Sequence, residues 1–544
     1  MRILLGLLLL SVPVQAVAEG TTCGPLRLRH AEARAGLSFR YDPGKSDARH
    51  LPETMGAGLA WLDYDGDGWQ DLYVVQSGAF PPDGSARGAD RLFRNRGDGT
   101  FEDVTARARI ADRAYGQGVT AADVDGDGDT DLYLSDFGPD TLLLNRGDGT
   151  FEDASARSGL GAGGWSSSAA FADADGDGDL DLYVTRYVKY DPNNSLFCGD
   201  FAAGRRDYCD ISLFEGENDL FYRNKGDGIF EDATAAAGFS SANGRGLGVI
   251  FTDLDGDRRP DVYIANDMTP NLLFHNLGGG KFEDVSLFSG AAVDAAGKAQ
   301  AGMGLGVGDF DGDGDPEITV TNFDAEVNSY YKNLGDLQFE DASASSGFGP
   351  PSYNLLGFGI VSADLDLDGD LDAYVANGHV FEHPKWDSVL YAQPDLILTG
   401  DGRGRFENKS CALPPGEPQV GRGLAAGDYD SDGRPDLAMQ NSGGPLELLR
   451  NETDGTWVGV VLEGRAPNTA AVGARVTLVS ASRRQVRWSM AGDSYQSTSD
   501  RRLLFGLPAG ESPKELEVVW PSGRTQRLMT PPVGRYVTLI EEQP

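Results

Sequence analysis

Five carboxylates stand within nine residues, Asp129 among them and four, Asp123, Asp125, Asp127 and Asp131, at positions 1, 3, 5 and 9, with glycine at 126 and 128. Ionised acids this close repel one another unless a cation lies between them. Acids at positions 1, 3, 5 and 9 of a loop that turns on glycine form the oxygen set that a hard cation such as Ca²⁺ takes. The spacing returns at Asp63, Asp65, Asp67 and Asp71; at Asp173, Asp175, Asp177 and Asp181; at Asp253, Asp255, Asp257 and Asp261; at Asp309, Asp311, Asp313 and Glu317; at Asp364, Asp366, Asp368 and Asp372; and at Asp428, Asp430, Asp432 and Asp436. Up to seven Ca²⁺ loops are expected, numbered 1 to 7 in chain order. Loop 4 has Arg258 where glycine enters a positive φ more easily, which makes it the weakest site. Loop 5 ends in the longer Glu317, and Leu367 and Ser431 replace the first glycine of loops 6 and 7. Seven dispersed copies point to a structural metal that stiffens each repeat. The flanks alternate as strands and no Glu recurs at position 12, so these are not EF-hands.

The four ligand positions of the seven loops hold 28 of the 84 Asp and Glu residues, and the formal net charge is −38. That charge argues against nucleic acid and anionic membranes as partners. Arg2, the apolar run Ile3 to Leu10 and the small residues Ala16-Val-Ala18 read as a cleavable signal peptide over 1–18, giving a secreted or periplasmic chain. No later segment is long and apolar enough to span a bilayer. In an oxidising compartment the four cysteines can form disulfides, with three connectivities. Cys198 with Cys209, inside one insertion, is the expected local bridge, leaving Cys23 with Cys411; the alternative is four reduced, buried thiols.

The loops recur every 50 to 80 residues, a spacing in the range of propeller blades. A glycine stands five residues before each loop (Gly58, Gly118, Gly248, Gly304, Gly359, Gly423), except in the third repeat, which has Ser168. After each loop come an alternating strand such as Asp131-Leu-Tyr-Leu, a second ending in Asn (Asn95, Asn224, Asn276), a Gly-rich turn, and a strand opening Phe-Glu-Asp. This pattern reads as four short antiparallel strands per unit and an all-β fold: a seven-bladed β-propeller over 51–453, followed by a small β-sandwich-like domain over 454–544. The seventh unit lacks its Phe-Glu-Asp strand. Leu28-Arg-His-Ala-Glu-Ala-Arg-Ala-Gly-Leu37 aligns with Phe151-Glu-Asp-Ala-Ser-Ala-Arg-Ser-Gly-Leu160, so the segment 19–50 is expected to supply that outer strand from Leu26 to Ala31 and to remove the open edge of the ring.

Repeated Asp-x-Asp-x-Asp-Gly-x-x-Asp loops on a seven-fold β repeat resemble the FG-GAP/VCBS propellers, the fold of integrin α-subunit heads. Ala471-Val-Gly-Ala-Arg475, Ala491-Gly-Asp-Ser-Tyr495, Leu504-Phe-Gly-Leu507 and Val519-Trp-Pro-Ser-Gly523 resemble an ASPIC/UnbV domain. Together the two are similar to the cartilage acidic protein family and its bacterial relatives. The EGF-like module of the animal members is absent, so a matrix role does not transfer.

Other motifs have plainer explanations. His379-Val-Phe-Glu-His383 spells an inverted zinc-peptidase pattern but lies beyond a strand and before Pro384, not on a helix. Arg96-Gly-Asp98 and Arg146-Gly-Asp148 fall at a recurring hairpin turn, and His275 replaces Arg94 and Arg223 at what reads as a surface position. No nucleophile elbow or Rossmann glycine pattern is present. The long loops from Tyr187 to Glu217 and from His379 to Gln393 lie opposite the acid loops, and irregular loops on a rigid scaffold carry recognition. Tyr187, Tyr190, Arg205, Arg206, Tyr208 and Trp386 are the expected contacts. The leading expectation is an extracellular or periplasmic binding or adhesion module for a protein or carbohydrate. The alternative is an extracellular enzyme with a pocket in the central channel, acting on sugars or phosphate esters.

Overall fold

The computed structural model describes residues 23–542 apart from 85–87, 112–113, 203, 240–243 and 383–388. The expected signal peptide, Trp386 and His383 lie outside the described residues.

Seven four-stranded antiparallel sheets form the ring. Blade 2 is representative: Gly116–Ala122 pairs with Asp131–Asp136, which pairs with Thr141–Asn145 and then Phe151–Asp153. The acid loop joins the inner strand to the second strand in every blade. In blade 7, Gly421–Gly427, Asp436–Asn441 and Glu447–Asn451 are completed by Leu28–His30 from the other end of the chain, with Leu28 opposite Asn451. Separate apolar clusters fill the interfaces between neighbouring blades. Leu59, Trp61 and Phe101 of blade 1 meet Ala425, Tyr429 and Leu448 of blade 7 in the one that closes the ring.

Both disulfides are formed, Cys198 with Cys209 and Cys23 with Cys411. The second closes a span of 388 residues and ties the segment before the closing strand to blade 6. A Cys23→Ser substitution is expected to destabilise the chain by about 2–5 kcal/mol, read as a lower urea midpoint.

The C-terminal domain is a sandwich. One sheet orders Leu503–Leu507, Thr456–Glu463 and Tyr536–Ile540, and the other orders Arg484–Trp488, Arg475–Val479, Glu515–Val519 and Thr525–Met529. Val458, Val476, Phe505, Leu516 and Trp520 are buried between them.

One excursion of this domain, residues 490–500, enters the axis of the propeller. The Val119 amide donates to Gln496 O at 3.1 Å, Trp61 N to Thr498 O at 3.0 Å, and Phe171 N to Ala491 O at 2.8 Å, while Leu305 and Ser494 exchange two backbone bonds at 2.9 Å. The inner-strand glycines make room for it: a Cβ on Gly58 would lie 2.0 Å from Gln496 O and 2.7 Å from Gly118 Cα. In the third repeat, Ser168 accepts the Gln496 amide on its hydroxyl at 3.0 Å. Tyr495 at the tip is fully buried against Trp165, Tyr187, Met303 and Phe358 on the far side of the ring. The excursion thus occupies the axis by backbone pairing with the inner strands of blades 1, 2, 3 and 5.

Candidate metal loops and the surfaces beside them

Each acid loop is built by its own backbone. In loop 2, Asp123 accepts the amides of Gly126 at 2.8 Å and Gly128 at 2.9 Å. Asp131 accepts Val124 N at 2.9 Å on one oxygen and Asn145 N at 2.7 Å on the other, joining loop to third strand. The replacements keep the same turn: Leu367, Ser431 and Arg258 adopt φ of 58°, 53° and 71°, left-handed values that cost a non-glycine residue stability.

The Asn that ends the third strand has a role its position alone did not reveal. Asn145 donates from Nδ2 to Tyr64 O at 2.8 Å, Asn224 to Val124 O at 2.8 Å, Asn276 to Ala174 O at 3.0 Å, and Asn451 to Leu365 O at 2.8 Å. Each carbonyl belongs to position 2 of the preceding blade's acid loop, so every such Asn links two loops around the ring. Its recurrence just before the Gly-rich turn was the available signal. Blade 6 has Gly400 here, and Gly404 N donates to Phe310 O at 3.1 Å instead.

The carboxylate oxygens converge. Asp63, Asp65 and Asp71 place one donor atom each within 4.8 Å of one another, as do Asp123, Asp125 and Asp127, and Asp173, Asp175 and Asp177. Asp65 Oδ1, Glu317 Oε1, Asp364 Oδ1 and Asp430 Oδ1 are buried with no hydrogen-bond donor. A buried acceptor without a donor is costly unless a cation meets it. Burial, added to by neighbouring carboxylates, pushes Asp71 and Asp181 up to about 8 and Glu317 to about 9. Donor type, spacing and unmet acceptors all fit a hard divalent cation.

The C-terminal domain rests on this acidic face. From Trp457 onward it carries eleven Lys and Arg against eight Asp and Glu, within a chain of net charge −38. Gly506 N donates to Asp364 Oδ2 at 2.9 Å, Tyr536 OH to Asp428 Oδ2 at 2.7 Å, and Arg475 to Gly314 O at 3.0 Å. Thr469 donates to Asp123, and Arg483 pairs with Asp370.

A second recurring pair lies deeper in the blades. Tyr133 donates to Asp140 at 2.7 Å, Tyr183 to Asp219 at 3.0 Å and Tyr374 to Asp395 at 2.7 Å. Burial raises these carboxyls to about 6, 7 and 7, above the unfolded value of about 3.9. The folded chain holds their protons more tightly, so the associated stability is complete below about pH 4 and is lost towards pH 7, at roughly 1.4 kcal/mol per pH unit per group. In chelator the melting temperature is expected to fall between pH 5 and pH 8, and the double substitution Asp219→Asn with Asp395→Asn, which keeps acceptor oxygens, is expected to flatten that fall.

The residues expected to contact a partner are not all alike in exposure. Tyr187 is 3% exposed and donates to Asp267, and Tyr208 is 5% exposed with its hydroxyl 3.2 Å from Glu53. Tyr190 is half-buried, its hydroxyl 2.8 Å from His50 Nδ1, and Arg206 donates to Ala48 O at 2.9 Å. Tyr190, Arg206 and Tyr208 hold the insertion to the N-terminal segment and Tyr187 ties it to blade 4; Arg205 remains exposed. The outward-facing apolar residues are Leu196, Phe197, Phe201 and Leu213, with Phe201 83% exposed. The hairpin of Cys198–Asp200 with Arg205–Asp207 and its disulfide present the two phenylalanines, whose rings lie 5.4 Å apart. Phe197 and Phe201 on either side of Cys198-Gly-Asp200 were the sequence signal for this tip.

His379 is buried: its Nδ1 accepts Phe381 N at 2.9 Å and its Nε2 lies 3.2 Å from Asp324. It fastens a loop. His275 is not the simple surface residue expected, because its ring turns onto the carboxylates of loop 4.

A family model described as FG-GAP-like repeat matches residues 63–134, 123–184, 207–264, 253–320 and 309–375, and one described as ASPIC and UnbV matches 464–544. Cartilage acidic protein 1 of Xenopus tropicalis is 25% identical over 533 residues, covering 94% of this chain and 68% of the relative. The mouse protein of that name is 26% identical over 340 residues, 61% of this chain and 50% of its own length. The chain thus spans about half the length of the mouse and human relatives it matches. Among solved structures, an Agrocybe aegerita lectin described as recognising non-reducing terminal N-acetylglucosamine is 18% identical, with 65% of this chain and 81% of that one covered at a TM-score of 0.37. The V. cholerae biofilm matrix protein Bap1 is 13% identical, with 92% and 70% covered at a TM-score of 0.32.

Proposed function

Because the chain belongs to the FG-GAP-like repeat family and ends in an ASPIC and UnbV domain, we propose that it is an extracellular or periplasmic binding module whose propeller is braced by Ca²⁺. The acid loops supply the brace: Asp63, Asp123, Asp173, Asp309, Asp364 and Asp428 with their companion acids hold the ion, and the carbonyl linked by each Asn passes the stiffness to the next blade. Two disulfides fit an oxidising compartment.

One observation carries the binding role. One face of the disk repeats and is covered by the C-terminal domain, whereas the opposite face carries a disulfide-pinned hairpin with exposed Phe197 and Phe201. Exposed aromatic side chains on a rigid support are recognition elements for a protein or a sugar ring. The backbone pairing of the excursion with the inner strands weighs for the binding reading over the enzyme alternative, which would put its substrate at the axis. Screening the secreted chain on glycan and protein arrays, beside the double substitution Phe197→Ala with Phe201→Ala, is expected to give ligands that the double variant loses at unchanged melting temperature. Equal binding by both chains would refute the role of the hairpin.

A further inference from the structure

Blade 4 differs from its neighbours at the side chain that leans over the acid loop. The residue before the strand-ending position is Arg94, Leu144, Arg223, His275, Lys332, Thr399 and Arg450 in blades 1 to 7. Arg223 pairs with Asp175 at 2.9 Å and Arg450 with Asp430 at 2.7 Å, and Arg94 and Lys332 pair with Asp65 and Asp311 in the same way. These cations neutralise charge but have no lone pair for a metal. An imidazole has one.

His275 Nδ1 lies 3.5 Å from Asp255 Oδ2 and 3.2 Å from Asp261 Oδ1. Asp255, Asp257 and His275 offer donor atoms within 4.8 Å of one another, and Asp253, Asp255 and Asp261 do the same. Donors bound at about 2.0–2.2 Å to one ion, as His and carboxylate are to Zn²⁺, stand roughly this far apart when they are adjacent. The set therefore combines one nitrogen from the third strand with carboxylates from the loop.

Charge points the same way. Arg258 occupies the turn position that is glycine in all six other loops, and Arg259 pairs with Asp257. Two arginines lower the negative charge on which a hard ion depends, while a nitrogen ligand favours first-row transition ions over Ca²⁺.

We propose that loop 4 is a transition-metal site, binding Zn²⁺, Co²⁺ or a similar ion through His275 Nδ1 and the carboxylates of Asp253, Asp255, Asp257 and Asp261. The inference rests on the reading that the other loops hold Ca²⁺, and it assigns a different metal to this one.

The test uses the full chain in excess Ca²⁺, which fills the all-oxygen loops, and titrates Co²⁺ while recording the visible d–d absorption. One equivalent should bind with a saturating band that Zn²⁺ bleaches. His275→Leu, and His275→Arg, which installs the residue of blades 1, 3 and 7, should abolish the band at unchanged Ca²⁺-dependent melting temperature; His30→Leu should leave it intact. No band, or a band that survives both His275 substitutions, would overturn the proposal. A wild-type melting temperature indifferent to Ca²⁺ would instead show the calcium reading to be wrong, and the Co²⁺ band would still be decided by His275.

Discussion

Equilibrated chelation is expected to lower the melting temperature of the chain by more than about 10 °C. Each ion that binds only the folded state stabilises it by about 2.7 kcal/mol when its free concentration is a hundred times its dissociation constant. A few occupied loops therefore supply as much as the whole net stability of an ordinary domain, about 5–15 kcal/mol. The unmet oxygens of Asp65, Glu317, Asp364 and Asp430 identify where an ion-free chain would be most strained. The effect should reach beyond the blades, since the C-terminal domain is fastened to Asp123, Asp364 and Asp428. Calorimetry in Ca²⁺ and in equilibrated EDTA measures the difference, and coincident transitions would show that these loops are not cation sites.

Tyr495→Ala is expected to cost about 3–5 kcal/mol, the range for deleting a large buried aromatic side chain. Tyr495 is fully buried among side chains of several blades and ends the excursion that fills the axis. Losing it would unseat the only segment described here that contacts inner strands on opposite sides of the ring. The domain boundary near Thr456 should then become a site of proteolysis before the blades do. Urea titration gives the stability loss and limited trypsin digestion the order of events. A loss below about 1 kcal/mol would mean that the excursion is held by its backbone bonds alone.

The acid loops were legible because cation binding fixes both side-chain type and spacing, so Asp63 to Asp436 could be read without any tertiary information. Closure by Leu28–His30 was legible for the related reason that the seventh unit lacked a strand whose pattern recurs elsewhere. The excursion at 490–500 was not. Its contacts are backbone bonds and small side chains such as Ser494 and Ser497, which need no periodicity, and Gly58 looks the same in sequence whether it faces solvent or the carbonyl of Gln496. The insertion misled in the opposite direction. Its tyrosines have the composition of a contact surface, yet Tyr187 and Tyr208 are buried with their hydroxyls on Asp267 and Glu53, while Phe201 beside the hairpin strands faces outward. His275 was readable as a departure from Arg94 and Arg223, but its direction required the third strand to be placed beside loop 4.

The strand that closes the ring also sets a timetable. Arg27 N bonds to the hydroxyl of Thr453, 426 residues later. At a synthesis rate of roughly 5–20 residues per second, the first of these partners waits on the order of 20 to 90 seconds for the second. Until then blade 7 does not exist, and every earlier blade belongs to an open arc with two unprotected ends. The excursion at 490–500 is made later still and enters the axis between the inner strands, so the rim can close before the axis is filled.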